Sequence, residues 1–168
     1  MAEDAERAAA HPPAWRILRR IGRRFYRISN QHRLLLAQAI VRLALARIAL
    51  LVMPFQTLAA RFGKMTPPGT EEGSARRPLS AAQIALAQDI GWAVTRAARY
   101  VPFRAVCLPQ AIAAQVMLSR RGVASVMHFG VLKKPGEALA AHAWLSAAGI
   151  EVTGYPLEPG YVEMARFL

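Results

Sequence analysis

The sequence predicts an α+β domain in which helices come first along the chain and an antiparallel sheet follows. Up to about residue 121, apolar residues recur at three- and four-residue spacing, which is the spacing of amphipathic helices. From Val123 onward the period changes to two, and tight turns separate three short runs, as in an antiparallel meander. A block of helices followed by a block of strands is the order of an α+β fold.

Length and charge limit the class of protein. A chain of 168 residues suits one domain with a helical extension, and 54% apolar residues exclude a disordered protein. The 22 Lys and Arg residues outnumber the 10 Asp and Glu residues, for a net charge of +12. This excess predicts an acidic or phosphorylated partner, or an anionic membrane surface. The polar N-terminus lacks the order of a secretory signal, so we expect a cytoplasmic protein.

Residues 1–62 are predicted to form an N-terminal helical region of two helices. In 14–30, six arginines face away from an apolar stripe, which indicates a solvated face, an anion-docking surface or a membrane-surface helix. Residues 34–53 are the most apolar stretch of the chain. Their two central arginines cost about 5–7 kcal/mol in a membrane, which offsets the gain from Leu, Ile and Val. We therefore expect a buried core helix that ends at Pro54, with peripheral membrane contact as the alternative.

Residues 63–79 contain three Pro and three Gly and no apolar period, so they are predicted to be a linker to a C-terminal domain at 80–168. A capping-box signal begins a helix at Ser80. A second helix is predicted over 107–121, with Pro109 in its first turn, where a missing N–H costs nothing. Strands are predicted over 123–132, 141–146 and 150–153.

Cys107 is the candidate nucleophile. It is the single cysteine, so an intrachain disulfide and a cysteine-rich zinc site are both excluded. A lone cysteine is more often a small buried apolar residue. Here, however, the predicted helix start puts the thiol at a helix N-terminus, where unpaired N–H groups and the helix dipole favour a thiolate. The same N–H groups suit the oxyanion of an acyl-transfer reaction.

His142 is the candidate base, because its strand follows the Cys107 helix at a distance that suits packing of a helix on a sheet. The period of two puts His142, Trp144 and Ser146 on one face of that strand. A Cys–His pair on that face would form the activated nucleophile of peptidases and acyltransferases. Two alternatives remain open: His128 on the neighbouring strand is the base, or His142 is a hydrogen-bonded core histidine.

Other kinds of site find less support. No His, Asp and Glu residues have the spacing of metal ligands, so no metal is expected. Neither a Walker motif nor a GxGxxG motif occurs, so no cofactor is evident. Aromatic residues do not alternate with the basic ones as in a base-stacking platform, which argues against nucleic acid. A non-enzymatic basic binding module remains the alternative class, because of the arginines in 16–27.

Three segments carry a family resemblance: PFRAVCLP at 102–109, FGV at 129–131 and AHAW at 141–144. In this order, with the basic and apolar N-terminal helices before them, they resemble the lasso-peptide biosynthesis B proteins. The resemblance implies a transglutaminase-like, papain-like cysteine protease core over 80–168. It also implies that the protein removes the leader from a ribosomally made precursor, with Cys107 as nucleophile and His142 as base. A transglutaminase-like acyltransferase or amidase would use the same pair.

The resemblance implies partners as well. These are the precursor leader peptide, a macrolactam cyclase, and a leader-recognition protein. We expect the recognition protein to be a separate chain, because residues 1–62 read as helices rather than as a strand-rich module. An ATP requirement is a further implication, although the sequence shows no site for it. Trp144 is a candidate wall of the substrate groove, with a packing role as the alternative.

One catalytic residue of the family is missing from its place. The family has an Asp about a dozen residues after the His; here that position falls on Gly154, and no Asp occurs after Asp89. We expect His142 to be oriented by Glu151, by Glu158, or by a backbone carbonyl, or the pair to act as a dyad. Glu151 is the nearest candidate, although a shift of three residues along a strand changes its face.

Overall fold

A computed structural model describes residues 29–60, 63–68, 78–134 and 136–167. The chain divides into two compact units, 1–33 and 34–168. Only residues 29–33 of the first unit are described, so almost all of the helix predicted over 14–30 lies outside the described residues. In this short stretch the backbone N–H of His32 donates to Ser29 Oγ over 3.3 Å.

The predicted α+β class is confirmed. The described residues form helices and an antiparallel sheet, with the helices mainly before the strands. The helices are α1 (Asn30–Val52), α2 (Phe55–Ala59), α3 (Ala81–Ala98) and α4 (Cys107–Ser119). The strands are β1 (Met65–Thr66), β2 (Val126–Leu132), β3 (Ala140–Ala147), β4 (Ile150–Thr153) and β5 (Val162–Phe167).

Helix α1 buries one side and exposes apolar residues on the other. Its buried residues are Leu35, Leu36, Ala39, Leu43 and Ala46. Large apolar residues on its other side are exposed, among them Val41, Leu45, Ile48 and Leu51. The predicted core helix is therefore buried along part of its surface only. In the described part of the chain it is the one helix long and apolar enough to cross a membrane, a test that a core helix of a soluble protein also passes.

Helix α3 begins at the predicted capping box and lies directly on β4. The backbone N–H of Gln83 donates to Ser80 Oγ, and the backbone N–H of Ser80 donates to Gln83 Oε1, over 3.3 and 3.0 Å. Two helix-end donors are thereby satisfied. A Cβ on Gly91 would lie 2.4 Å from the carbonyl oxygen of Val152, so the absence of a side chain there allows helix and strand to touch.

The sheet has the strand order β1-β5-β2-β3-β4, and every pairing is antiparallel. The predicted meander of β2, β3 and β4 is present. Strand β2 begins three residues later than predicted, because Val123 is part of the turn that caps the end of α4. Its N–H donates to the Leu118 carbonyl over 3.1 Å, after Gly122 at a φ of 68°. This is the arrangement of a helix C-terminal cap.

Strands β1 and β5 are absent from the sequence-based prediction. Strand β1 lies within the predicted linker 63–79 and pairs with β5, with Met65 opposite Phe167 and Thr66 opposite Arg166. Part of that segment is therefore a strand of the sheet. The domain boundaries 1–62, 63–79 and 80–168 stay a prediction.

The two faces of the sheet differ in polarity. On one face Met127, Leu145 and Phe167 are buried, with at most 5% exposure, and they form part of the core. The other face carries His142 and the pair of His128 with Trp144, which lie opposite each other on β2 and β3. Because side chains alternate along a strand, the apolar core and the polar cluster are separated by the thickness of one sheet.

Candidate active site

Cys107 is the first residue of α4, as predicted from the sequence. The preceding residue, Val106, has an extended backbone and its carbonyl accepts the N–H of Gln110 over 3.3 Å, which closes the first turn. The side chain of Gln110 also donates from Nε2 to the carbonyl of Ala105 over 2.7 Å. These two contacts hold the segment before the cysteine against the first helical turn. Cys107 is a free, half-buried thiol.

His142 lies on β3 opposite Gly130 of β2. Its Nε2 is 2.8 Å from the carbonyl oxygen of Gly154. A carbonyl oxygen only accepts, so Nε2 carries the proton and donates it in this bond. In the neutral ring the lone pair is then on Nδ1, which is the form that can take a proton from a thiol.

The position expected to hold an Asp is occupied by Gly154 for a steric reason. Gly154 has a φ of 84°, and a Cβ there would lie 2.7 Å from the Ala143 carbonyl oxygen and 2.8 Å from Trp144 Cβ. Any side chain would therefore collide with β3. Of the groups considered for orienting His142, the Gly154 carbonyl is the one that is hydrogen-bonded to it, among the described residues.

The two glutamates considered for that role line the same cavity as His142 but make other contacts. Glu151 lies on β4 opposite Ser146, and it is exposed. Glu158 forms an ion pair with Lys134. Within the described residues neither carboxylate is hydrogen-bonded to His142, whose ring nitrogen Nε2 is already held by Gly154. In the observed register of β4, Glu151 pairs with Ser146. The residue that contacts the imidazole is Gly154, through its backbone carbonyl.

A cavity of about 450 Å³ connects the first turn of α4 with His142. Its walls come from α3, α4, β3, β4 and the segment before β5; they include Thr95, Gln110, His142, Glu151, Gly154, Tyr155 and Tyr161. Gln110 follows Cys107 by three residues and so lies on the same side of the helix. Within the described residues no hydrogen bond joins Cys107 to His142, and Cys107 itself does not line this cavity, which reaches its helix only through Gln110.

Aromatic rings surround the imidazole of His142. The Trp144 ring is stacked at 6.1 Å between centroids, and the Tyr161 ring is tilted at 5.4 Å. Trp144 is only 6% exposed, packs beside His142 and is not among the residues that line this cavity, so its role as a wall of the substrate groove stays a prediction. Gly130 allows this packing, because a Cβ there would lie 2.7 Å from the indole.

His128, the alternative base, belongs to a hydrogen-bonded cluster. Its Nδ1 lies 2.5 Å from Glu163 Oε1, and its Nε2 lies 2.8 Å from Ser146 Oγ. The carboxylate accepts from Nδ1, so in the neutral ring Nε2 accepts the hydroxyl proton of Ser146. This order is that of a Ser–His–acid relay, yet none of the three residues lines the cavity. Both nitrogens of His128 are engaged, whereas His142 keeps Nδ1 for chemistry.

Glu163 is held in its charged form by this cluster. Arg166 donates to it from Nε and Nη2, each over 2.7 Å. Burial alone would raise the pKa of Glu163, but the hydrogen bonds from Arg166 and His128 outweigh it and lower the pKa below its ordinary value. The same bond with Glu163 raises the pKa of Arg166. Both residues lie on β5, and their charges interrupt the apolar pattern that would have identified that strand from the sequence.

Tyr155 also lines the cavity, and the sequence analysis did not identify it as a site residue. Burial, followed by the negative charges of Glu151 and Glu163, raises the pKa of Tyr155 to about 12. A tyrosine of ordinary pKa is already protonated at neutral pH, and this shift extends the protonated form to a higher pH at a residue that lines the cavity. A lone tyrosine after a short strand gives no signal of this in the sequence.

No group of three or more His, Cys, Asp and Glu residues capable of holding a metal occurs in the described part of the chain. Residues 49–166 match the family model of the transglutaminase-like superfamily, a span that contains both Cys107 and His142. Neither a curated protein nor a solved structure matches this chain.

Proposed function

This chain belongs to the transglutaminase-like superfamily, and from that premise we propose that it is a cysteine peptidase with Cys107 as nucleophile and His142 as base. The observation that carries the proposal is the hydrogen bond from His142 Nε2 to the Gly154 carbonyl. It fixes the ring tautomer and keeps Nδ1 as the proton acceptor. The cavity that runs from His142 to Gln110, one turn into the Cys107 helix, supports the same pairing.

In this reaction, Cys107 Sγ gives its proton to His142 Nδ1 and attacks the scissile carbonyl carbon. The N–H of Cys107 at the helix start stabilises the developing oxyanion. The C–N bond then breaks as the imidazolium passes its proton to the leaving amine, which leaves a thioester. Water, activated by the same imidazole, hydrolyses the thioester and regenerates the thiol. Such pairs often come into hydrogen-bond distance only when substrate is bound.

A backbone carbonyl suits the role of orienting group in a Cys–His pair. The Gly154 oxygen accepts from Nε2 and stabilises the imidazolium through its dipole, although it has no full negative charge. A thiolate–imidazolium pair needs less assistance than a Ser–His pair, because a thiol is the more acidic group. The proposed enzyme therefore works without the carboxylate of its relatives.

For the substrate, we propose the leader segment of a ribosomally made lasso-peptide precursor. The segments PFRAVCLP and AHAW, which contain Cys107 and His142, support this choice by their resemblance to the B proteins. The proposal includes a cytoplasmic location, a separate leader-recognition protein, and a macrolactam cyclase that uses the freed amine. The net charge of +12 suits docking of an acidic recognition protein or leader.

The test incubates a lasso-peptide precursor with the protein and the proposed leader-recognition protein, and follows the products by mass spectrometry. We expect wild type to give two fragments whose masses sum to the precursor plus one water. Cys107→Ala should give none while its circular dichroism spectrum stays that of wild type. Cleavage by Cys107→Ala would refute the assignment of the nucleophile. A product that has gained an amine would instead identify an acyltransferase, because both reactions use the same pair.

A further inference from the structure

A second cavity, of about 390 Å³, lies beside the one that contains His142. Its walls come from α3 and β4: Gln88, Gly91, Trp92, Thr95, Arg96, Arg99, Glu151 and Val152. Thr95, Glu151 and Val152 also line the His142 cavity, so the two share a wall. The two cavities are neighbouring compartments along the packing interface between α3 and β4. A ligand in the second compartment is therefore next to the site of the proposed chemistry.

The guanidinium of Arg96 is the unusual group of the second cavity. Its Nε is buried and has no hydrogen-bond partner, in the part of the chain that the structure describes. The group lies over the ring of Trp92, with Cζ 5.6 Å from the ring centroid. A buried N–H without an acceptor is costly and uncommon in folded proteins. An arginine that stacks on an aromatic ring keeps its edge N–H groups for a planar anion.

Arg99 adds a second positive charge to the same wall. It follows Arg96 by three residues, so the two lie on one side of α3, and Arg99 is exposed. Among the described residues, the ion pairs join His128 and Arg166 to Glu163 and Lys134 to Glu158; none includes these two arginines. Glu151, in the shared wall, is the one carboxylate of this cavity's lining. Two positive charges against one negative leave the compartment electropositive.

We propose that this compartment binds a carboxylate of the peptide substrate: the side chain of a Glu or Asp close to the scissile bond. Guanidinium and carboxylate match in shape and form paired charge-assisted hydrogen bonds. The choice of a peptide carboxylate as the anion rests on the proposed peptidase function, because the compartment adjoins His142. Arg96 is thus a specificity residue, which selects the substrate and takes no part in proton transfer.

The first experiment measures specificity in cleavage. Each residue within four positions of the scissile bond of the precursor is replaced in turn by Glu and by Gln, and kcat/KM is measured for every peptide. At one position we expect Glu to be preferred over Gln by about tenfold or more, the range of a charge-assisted hydrogen bond. In Arg96→Gln this preference should fall to about twofold or less. Equal rates for Glu and Gln at every position, with wild type active, would overturn the proposal.

Matched variants distinguish an effect of the Arg96 site from an effect of the protein's overall positive charge. Arg120→Gln removes an exposed arginine that lines a different cavity, and it should keep the preference for Glu. Arg96→Lys retains the charge but not the planar guanidinium, so it should give an intermediate preference. If Arg96→Gln does not fold, the exposed Arg99→Gln should still weaken the preference. An unchanged preference in Arg99→Gln and Arg96→Lys would contradict the assignment.

The second experiment is independent of turnover. Fluorescence anisotropy measures the binding of labelled Glu and Gln peptides to Cys107→Ala, with inorganic phosphate as a competitor. We expect the Glu peptide to bind more tightly than the Gln peptide. This difference should disappear in the double variant that carries both Cys107→Ala and Arg96→Gln. If wild type cleaves nothing, an Arg96-dependent preference for Glu would still support the carboxylate site while the peptidase proposal fails. Binding of phosphate through Arg96 without a preference for the Glu peptide would overturn the peptide carboxylate as the ligand.

Discussion

The imidazole of His142 donates from Nε2 to the carbonyl oxygen of Gly154 over 2.8 Å, so a backbone atom holds the proposed base. The resemblance to the B proteins implies an Asp at this point in the sequence. Gly154 cannot be replaced by a residue with a side chain without a collision with β3. A substitution that moves the Gly154 backbone should therefore also change the orientation of the His142 imidazole.

Substitution of Gly154 should impair both folding and turnover. Gly154→Ala places a Cβ 2.7 Å from the Ala143 carbonyl and forces an L residue to a φ of 84°. The strained φ alone costs about 1–2 kcal/mol, and the collision shifts the carbonyl away from His142. We expect a lower free energy of unfolding in urea and a kcat reduced by roughly tenfold or more, because the orienting bond is lost.

Gly149→Ala is the control for that experiment. Its φ is 85°, yet nothing lies within 4 Å of the added Cβ. It should lose a similar stability from backbone strain and keep its rate of cleavage. An equal loss of kcat in Gly149→Ala and Gly154→Ala would mean that the Gly154 carbonyl has no specific part in orienting the base.

Comparison of the two histidines on the polar face identifies the base. His142→Ala should lower kcat by about 10²–10⁴-fold, the usual contribution of a general base. His128→Ala breaks its bonds to Glu163 and Ser146, so it should lower stability and leave most of kcat. Rates are measured on the precursor at a temperature well below both unfolding midpoints. A larger loss of kcat in His128→Ala would transfer the role of base to His128.

The Glu163 cluster should make stability depend on acid pH. The pKa of Glu163 is lowered in the folded protein relative to the ordinary value of 4.5, so the unfolded chain binds the proton more tightly. This contribution is fully present above the unfolded pKa and is lost as the pH falls through the lowered folded pKa. We therefore expect urea midpoints to fall as the pH is lowered below about 4.5, and to fall less in Glu163→Gln.

The control for the acid experiment is Glu137→Gln, which removes an exposed carboxylate. It should leave the acid dependence close to that of wild type. If Glu163→Gln loses stability with falling pH as steeply as wild type does, the Glu163 cluster is not the origin of the acid dependence.

Trp144 should contribute to stability more than to binding. The indole is 6% exposed and is stacked on His128, with 5.4 Å between ring centroids. Removal of a buried Trp side chain typically costs about 3–5 kcal/mol, so Trp144→Ala should unfold at much lower urea concentration. Trp144→Phe, which retains an aromatic ring, should keep KM near the wild-type value. A raised KM in a folded Trp144→Phe would instead support Trp144 as a wall of the substrate groove.

Local chemistry made several elements predictable from the sequence. Ser80 and Gln83 are a helix signal complete within four residues, and the start of α4 at Cys107 follows from Pro109 and the apolar period after it. Strand β4 was predicted with its observed bounds, because alternation and the preceding Ala148-Gly149 turn are also local. Each of these depends on neighbours along the chain, which the sequence shows directly.

Strands β1 and β5 depend on distant neighbours. Strand β1 has two residues, and its partner lies about a hundred positions later in the chain. In β5, Glu163 and Arg166 bind each other and His128, so charges that look solvated in the sequence are half-buried. Such pairing depends on the register of the sheet, and no local pattern encodes it.

The sequence by itself determined the α+β class, the helix start at Cys107 and the placing of His142 on a strand, because backbone periodicity and helix capping are local properties. Only the tertiary structure shows which group is hydrogen-bonded to His142, the proposed base. The order of residues left Glu151, Glu158, a backbone carbonyl and a dyad open, with Glu151 as the nearest candidate. The positive φ of Gly154 and its close approach to β3 bring the carbonyl, rather than either carboxylate, to His142.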